Sequence, residues 1–252
     1  MAGRGQRFAD AGYTTPKPLI PIHGIPQTQL VINNLRPSCP HRFIFLCLQE
    51  HINQFQIYEH LKRWVPQCII IPVSQVTEGA ACTALLAREH FDDNNPLMIA
   101  NCDQWVDIQI DDYLQHMNTS GADGLIMTMH ANDPKWSYAG IDSNGHVTHV
   151  VEKEVISDRA TVGIYNYAQG KNFCDAADQM IRLNLRVKGE FYVAPAYNLM
   201  IQNGLKIVTY NVGSEYNGMH GLGTPQDLDI FLNNPISRTA VTTTIRNLHS
   251  IP

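Results

Sequence analysis

The stretch that decides the fold is Pro96-Leu97-Met98-Ile99-Ala100-Asn101-Cys102-Asp103, a short apolar run that turns polar and ends on a carboxylate. So brief a run without a helical repeat reads as a buried strand, and the patterns on either side, over residues 79–91 and 110–118, are helical. A strand between two helices is the unit of an α/β sheet, whose carboxyl edge is where ligands of open sheets bind. Asp103 is thereby placed to hold Mg²⁺ through one oxygen, with phosphate and water in the other octahedral positions. The plainer alternative is a turn Asp that caps the next segment.

The same alternation runs along the chain. Further strands are expected over residues 43–48, 68–73, 124–130, 146–152, 161–167 and 206–211, and helices over 27–34 and 52–64. Phe173, Ala176, Ala177, Met180 and Ile181 repeat at i, i+3, i+4, i+7 and i+8, which predicts a helix over 172–185 with one buried face. Asp142-Ser143-Asn144-Gly145 reads as a hairpin turn. Pro16-Lys17-Pro18 reads as an extended loop, because each proline fixes φ and lacks a donor. No repeat or low-complexity segment is seen. A single domain over residues 1–232 is expected, with an inserted or appended half after about residue 131, followed by a loosely held tail over 233–252.

Composition narrows the function classes. With 252 residues, 44% of them hydrophobic, the chain can bury a sizeable core. Eighteen Lys+Arg against 23 Asp+Glu, a formal charge of -5 and no basic block argue against nucleic acid as a partner. No run approaches the about 18 apolar residues of a membrane span, and no signal-peptide pattern opens the chain, so a soluble cytoplasmic protein is expected. Six scattered cysteines, never spaced as CxxC, read as reduced core residues.

Two further stretches carry chemistry. In Gly3-x-Gly5-x-Arg7-Phe8, followed by Lys17, two glycines let the backbone approach a ligand and aim amides at phosphate oxygens. Arg7 adds a forked cation and Lys17 a point charge, a set suited to a triphosphate. A glycine turn with a solvated lysine is the alternative. Such a turn normally follows a strand, and none is written before Met1, so the reading expects a first strand that is absent or clipped. In Ser74-Gln75-Val76-Thr77-Glu78-Gly79-Ala80-Ala81, a glycine ahead of a small-residue helix lets a planar base slide against backbone, with Gln75 or Glu78 reading its edge. Alternatively Thr77 or Glu78 caps the helix.

Taken with Gly12-Tyr13 and Pro16-Lys17-Pro18-Leu19-Ile20-Pro21-Ile22-x-Gly24-x-Pro26, the glycine turn resembles the signature of the sugar-phosphate nucleotidyltransferases, or NDP-sugar pyrophosphorylases. The resemblance recurs through Thr77-Glu78-Gly79-Ala80-Ala81, Asn101-Cys102-Asp103, Glu152-Lys153, Val162-Gly163-Ile164-Tyr165, Gly189-Glu190-Phe191-Tyr192 and Gly223-Thr224-Pro225-Gln226-Asp227-Leu228. It implies an α/β, Rossmann-like three-layer sandwich with a mixed, mostly parallel sheet, its first strand missing here. It also implies transfer of a nucleotidyl group from a nucleoside triphosphate to a phosphorylated acceptor, with release of pyrophosphate.

By the same resemblance Arg7 and Lys17 are catalytic, and Ala2, Gly3, Gly5, Gln75, Glu78, Gly79 and Asn101 bind the nucleotide. Tyr138, Ala139, Glu152, Lys153, Gly163 and Glu190 line the acceptor pocket, and Asp103 holds Mg²⁺. The acceptor phosphate is already ionised, so positioning and charge neutralisation carry the reaction and no strong base is required. Two departures stand out. Many relatives carry an Asp two residues before the Gly-Thr of the last motif, where this chain has Gly221, leaving His220 or Asp227 as substitute groups. Ala139 replaces a frequent Gly, which opens the acceptor to phosphorylated molecules other than glucose 1-phosphate. A non-catalytic nucleotide sensor is the rival reading. A glycosyltransferase is disfavoured because Asn101-Cys102-Asp103 offers one acid rather than a pair. Homo-oligomer formation is left open.

Overall fold

A computed structural model describes residues 1–249. The chain divides into two compact units, one built from Met1–Gln75, Asn101–Asp111 and the residues from Glu215 onward, the other from Val76–Ala100 and Asp112–Ser214.

In the first unit, strands Ile44–Leu48 and Ile69–Val73 pair in parallel, with Ile44 opposite Ile69 and Leu48 opposite Val73. The helix expected between them over 52–64 is two helices, Gln49–Phe55 and Ile57–Trp64. They meet at Gln56, whose φ of 52° breaks the ladder. A left-handed non-glycine residue costs about 1–2 kcal/mol. The break starts a fresh helix whose Ile57, Leu61 and Trp64 all enter the core formed with Ile32, Cys47, Val65 and Cys68. Burying such a set stabilises by roughly 1.5–3 kcal/mol per large side chain, which outweighs one strained residue.

Helix Gln27–Asn34 lies where the sequence placed it. The Asn34 amide donates to the carbonyl of Val106 at 2.8 Å and accepts from its N–H at 2.9 Å, pinning the short strand Gln104–Val106. That strand pairs antiparallel with Gly218–Gly221, His220 opposite Trp105. Pro16-Lys17-Pro18 departs from the extended loop expected of it. Pro16 is extended, but Lys17–Leu19 closes a single 3₁₀ turn with Pro18 at a first-turn position, where its missing donor has no intrahelical acceptor to leave unpaired. The segment expected as a loosely held tail contains one long helix. Helix Ile236–His249 buries Ser237, Ala240, Val241 and Thr244 and packs against Gln27–Asn34. Residues 250–252 lie outside the described part.

In the second unit, Arg159–Tyr167 is the organising strand. Gly124–His130 pairs along one edge, while Leu97–Ala100 and then Ser137–Ile141 share the other, all antiparallel. Between Thr161 and Tyr165 the register slips, and Gly163, with φ 80°, sits in that bulge. A bulge of this kind calls for the conformational freedom of glycine. Ile207–Glu215 runs parallel to Gly124–His130, and Val147–Glu152 closes the other end against Ser137–Ile141. The sheet is mixed, as expected. Its parallel share is smaller than the sequence implied, because the hairpin at Asp142 and the long central strand bring antiparallel partners. Asp142 Oδ1 accepts from the N–H groups of Asn144 and His146, both at 2.9 Å, closing that turn.

The helix predicted over 172–185 spans Gly170–Arg182 and buries Phe173, Ala176, Ala177 and Met180. The one predicted over 79–91 is a short helix, Ala80–Leu85, and a 3₁₀ turn, Arg88–His90. Tyr167 and Tyr197 stack at 4.8 Å in the core, and the Tyr197 hydroxyl donates to the Asn166 carbonyl at 2.8 Å. Burial keeps both phenols protonated.

Candidate functional site

The first unit brings together a cation, a carboxylate and two glycines. Gly5 takes φ 65° at the start of the short helix Gln6–Asp10, and Phe8 anchors that helix by burying its ring edge-on to Tyr13. The turn then lies against the 3₁₀ segment bearing Lys17. A side chain at position 5 would start 3.3 Å from the Lys17 Cβ. The Lys17 ammonium forms an ion pair with Asp103 Oδ2. On the opposite wall, a side chain at Gly223 would start 3.1 Å from that oxygen and 3.9 Å from the ammonium. The Leu222 N–H donates to the Asp103 carbonyl at 2.7 Å, so the ladder of Gln104–Val106 with Gly218–Gly221 sets this wall.

Burial works against the Lys17 charge, but the Asp103 carboxylate outweighs it, and the ammonium is held above its ordinary range. The lysine is a permanent cation at neutral pH. Arg7 is exposed and near enough for its charge to act on Lys17, Asn101 and Gln75 are exposed, Ala2 is half-buried, and nothing crowds the side-chain direction of Gly3. Gly223 was not singled out from the sequence as a site residue; its place in the Gly-Thr-Pro motif was the available signal.

The two substitutes for a carboxylate at position 221 separate clearly. His220 is 2% exposed, its ring 5.5 Å from Trp105 and 5.2 Å from Phe231. Burial pushes its pKa down, and it is a core residue. Asp227 instead lies against Gly221, its carboxyl carbon 3.5 Å from where a side chain there would begin. It accepts from Tyr216 at 3.0 Å and Thr224 at 2.7 Å, and its N–H returns to Thr224 Oγ1, closing a cap at the start of helix Pro225–Asn233.

His220 also carries a stability prediction. A folded pKa below the unfolded one means the unfolded chain binds the extra proton, so stability is full above about pH 6.5 and falls as pH drops toward the folded pKa. His220→Phe, which keeps an aromatic ring in the stack, should flatten that acid-side slope in melts from pH 7.5 to 5. An unchanged slope would show that other groups set it.

In the second unit, Thr77 and Glu78 do not cap the helix that follows. The Thr77 hydroxyl donates to the Gly79 carbonyl at 2.9 Å and meets Thr83 Oγ1 at 2.6 Å, while Glu78 pairs with Arg186 at 2.9 Å. Gly79, φ 136°, lies directly on the backbone of Phe191. Of the acceptor residues, Tyr138 and Ala139 are fully buried, the Tyr138 hydroxyl donating to the Asp133 carbonyl at 2.8 Å, so neither side chain is open to a ligand.

Glu152, Lys153 and Glu190 do share a neighbourhood. Burial pushes the Glu152 pKa up, opposed by a hydrogen bond from Ser137 and by the charges of Lys153 and Lys188, while Glu190 adds to the rise. Lys153, at φ 60°, donates to the Tyr192 hydroxyl and lies 4.5 Å from its ring centroid. That hydrogen bond holds its pKa above the ordinary lysine value. Ser137, Lys188 and Tyr192 were not nominated from the sequence, although Tyr192 stands inside the motif that supplied Glu190.

Asp103 fits a hard divalent cation as a single oxygen donor, with one oxygen on Lys17 and the other on the same partly exposed carboxylate. Among the described residues no group of three or more His, Cys, Asp or Glu could hold a metal ion, so such a cation would take its remaining ligands from phosphate and water. No helix among the described residues is long and apolar enough to cross a membrane.

The family described as nucleotidyl transferase matches residues 1–182. A nucleoside-diphosphate-sugar pyrophosphorylase from Vibrio cholerae RC9 is 25% identical with a TM-score of 0.80, covering 93% of this chain and 98% of that one. An inositol-1-phosphate CTP transferase from T. maritima is 12% identical with a TM-score of 0.72, over 96% and 93% of the two chains. A UDP-glucose pyrophosphorylase complexed with UDP-glucose is 15% identical with a TM-score of 0.71, over 96% of each. The last two likenesses are of fold. No curated protein sequence matches the chain.

Proposed function

Because the chain belongs to the nucleotidyl transferase family, we propose that it transfers a nucleotidyl group from a nucleoside triphosphate to a phosphorylated small molecule, a sugar phosphate or a similar acceptor, and releases pyrophosphate. The observation that carries this is the Lys17–Asp103 pair walled by Gly5 and Gly223. It joins a permanent cation, a carboxylate for a hard metal and approachable backbone, which is what a triphosphate requires.

An oxygen of the acceptor phosphate attacks the α-phosphorus in line. The new P–O bond forms as the bond to the bridging oxygen of the β-phosphate breaks, and the electron pair leaves with pyrophosphate. Lys17 neutralises charge on the α-phosphate, Arg7 and the amides around Gly3 and Gly5 take the β- and γ-phosphates, and Gln75, Asn101 and the Glu78-Gly79 segment position the nucleoside. Mg²⁺ at Asp103 would supply further charge neutralisation on the triphosphate. Glu152, Lys153 and Glu190 bind the acceptor, its hydroxyls on the carboxylates and its phosphate near the lysine. For Tyr138, Ala139 and Gly163 the part left is backbone shape, since the first two are buried and the third forms the bulge.

The test is pyrophosphate release with Mg²⁺, each NTP in turn and a panel of phosphorylated sugars and other phosphorylated small molecules. Release with at least one pair is expected; silence across all pairs with a folded sample would favour the sensor. Asp103→Asn removes both the metal donor and the counter-charge of Lys17. Its expected effect is a turnover loss of about 10²-fold, with the Mg²⁺ requirement raised roughly tenfold. An unaltered Mg²⁺ titration would remove Asp103 from the metal.

A further inference from the structure

Arg186 lies outside every motif used so far, yet its guanidinium is the hub of the segment from residue 184 to 191. Its Nε donates to Asn184 Oδ1 at 2.6 Å, Nη1 to the Gly189 carbonyl at 3.1 Å and Nη2 to Glu78 Oε2 at 2.9 Å. The guanidinium carbon Cζ also lies over the Phe191 ring, 4.1 Å from its centroid. Such a fork over an aromatic face is a geometry that lysine cannot copy.

The segment it holds is strained. Asn184 and Lys188 have positive φ, at 52° and 48°, while the neighbouring Gly189 takes its 85° without cost. Backbone of this kind persists only where its surroundings over-determine it. Two things follow along that segment. Phe191 exchanges backbone hydrogen bonds with the Glu78–Ala81 stretch, its N–H donating to the Glu78 carbonyl at 2.8 Å and its carbonyl accepting from Ala81 at 3.0 Å. Glu190, one residue earlier, acts electrostatically on Glu152.

We propose that Arg186 is a positioning residue that fixes the nucleotide segment at Glu78-Gly79 and the acceptor residue Glu190 as one piece, so that both substrates depend on it without either touching it. This rests on the roles given to Gly79 and Glu190 above. Glu78 then serves the nucleotide through Arg186 rather than through the base. The Glu78 and Arg186 side chains are 66% and 31% exposed, so the ion pair alone is weak and the effect comes from the four contacts together.

The experiment is steady-state kinetics of Arg186→Gln and Arg186→Lys, with Glu78→Gln and the double variant E78Q/R186Q. Both Arg186 variants should raise KM for the NTP and for the acceptor by about five- to tenfold, with kcat within about threefold of wild type. The double variant should match R186Q, because R186Q already breaks the ion pair that E78Q removes. A lower melting temperature with both KM values unchanged, a rise in only one KM, or additive losses in the double variant would each overturn the proposal. If R186Q does not fold, R186K reads the same quantities, and E78Q, which cuts the ion pair alone, should raise both KM values by less. Absence of pyrophosphate release by wild type would defeat the functional reading instead; calorimetry of NTP binding to wild type and R186Q would then decide whether Arg186 supports the nucleotide segment.

Discussion

Lys17→Ala is expected to lower turnover by about 10²–10⁴-fold while leaving the fold intact, since removing one preorganised charge from a developing anion costs about 3–5 kcal/mol of transition-state stabilisation. The ground state has less to lose. The Lys17 and Asp103 side chains are 16% and 21% exposed, so water can reach the carboxylate when the ammonium goes, and the loss of stability should stay at about 1–3 kcal/mol, below that of breaking a fully buried pair. Lys17→Arg should fare nearly as badly. A side chain at Gly5 would begin 3.3 Å from the Lys17 Cβ and one at Gly223 3.9 Å from its nitrogen, so both glycines lie close and leave little room for a planar guanidinium. Pyrophosphate release and a melting curve on the same sample check both statements. Near-normal turnover by a folded Lys17→Ala would remove this residue from catalysis.

The second large effect is structural in origin and functional in result. Gly79 has φ 136° and ψ 171°, a region essentially reserved for glycine, and a methyl there would overlap the N, C and O atoms of Phe191. The neighbour is backbone tied on both sides by hydrogen bonds to Glu78 and Ala81, so it cannot swing aside as a side chain would. Gly79→Ala should therefore part the two segments. The expected cost is about 3 kcal/mol, or roughly 6–12 °C in Tm, with nucleotide affinity reduced more than tenfold. Gly3→Ala is the control. Nothing lies within 4 Å of its added methyl, and its melting temperature should stay at the wild-type value. A Gly79→Ala variant with wild-type Tm would show that the Phe191 backbone yields more easily than its two hydrogen bonds imply.

Much of the fold was legible because its signals are local. The helix Gln27–Asn34, the strand Gly124–His130 and the hairpin at Asp142 each follow from periodicity or turn chemistry within a few residues. The helix over 52–64 was misread at one point, Gln56, since a left-handed polar residue leaves no mark on a hydrophobic pattern. Strands Gln104–Val106 and Gly218–Gly221 are too short for a period and exist because they pair with each other. The 3₁₀ turn at Lys17 defeats a rule about proline that holds for helix interiors and not for first turns.

The site divides in the same way. The sequence by itself determined the chemistry on offer: glycines where a backbone must approach phosphate, the cations Arg7 and Lys17 just after them, and a carboxylate closing an apolar strand. Only the tertiary structure decided which of these meet. Lys17 and Asp103 were nominated separately and are paired. His220 and Asp227 were both open as substitutes for the missing carboxylate, His220 the poorer because a nitrogen donor suits Mg²⁺ badly, and it is sealed between aromatic rings while Asp227 lies beside Gly221. Arg186 gave no signal at all until its four partners were in place. Residue type and spacing record what a side chain is able to do, but ion pairing, burial and close approach are set by distances between residues far apart in the chain, and those exist only once the core has formed.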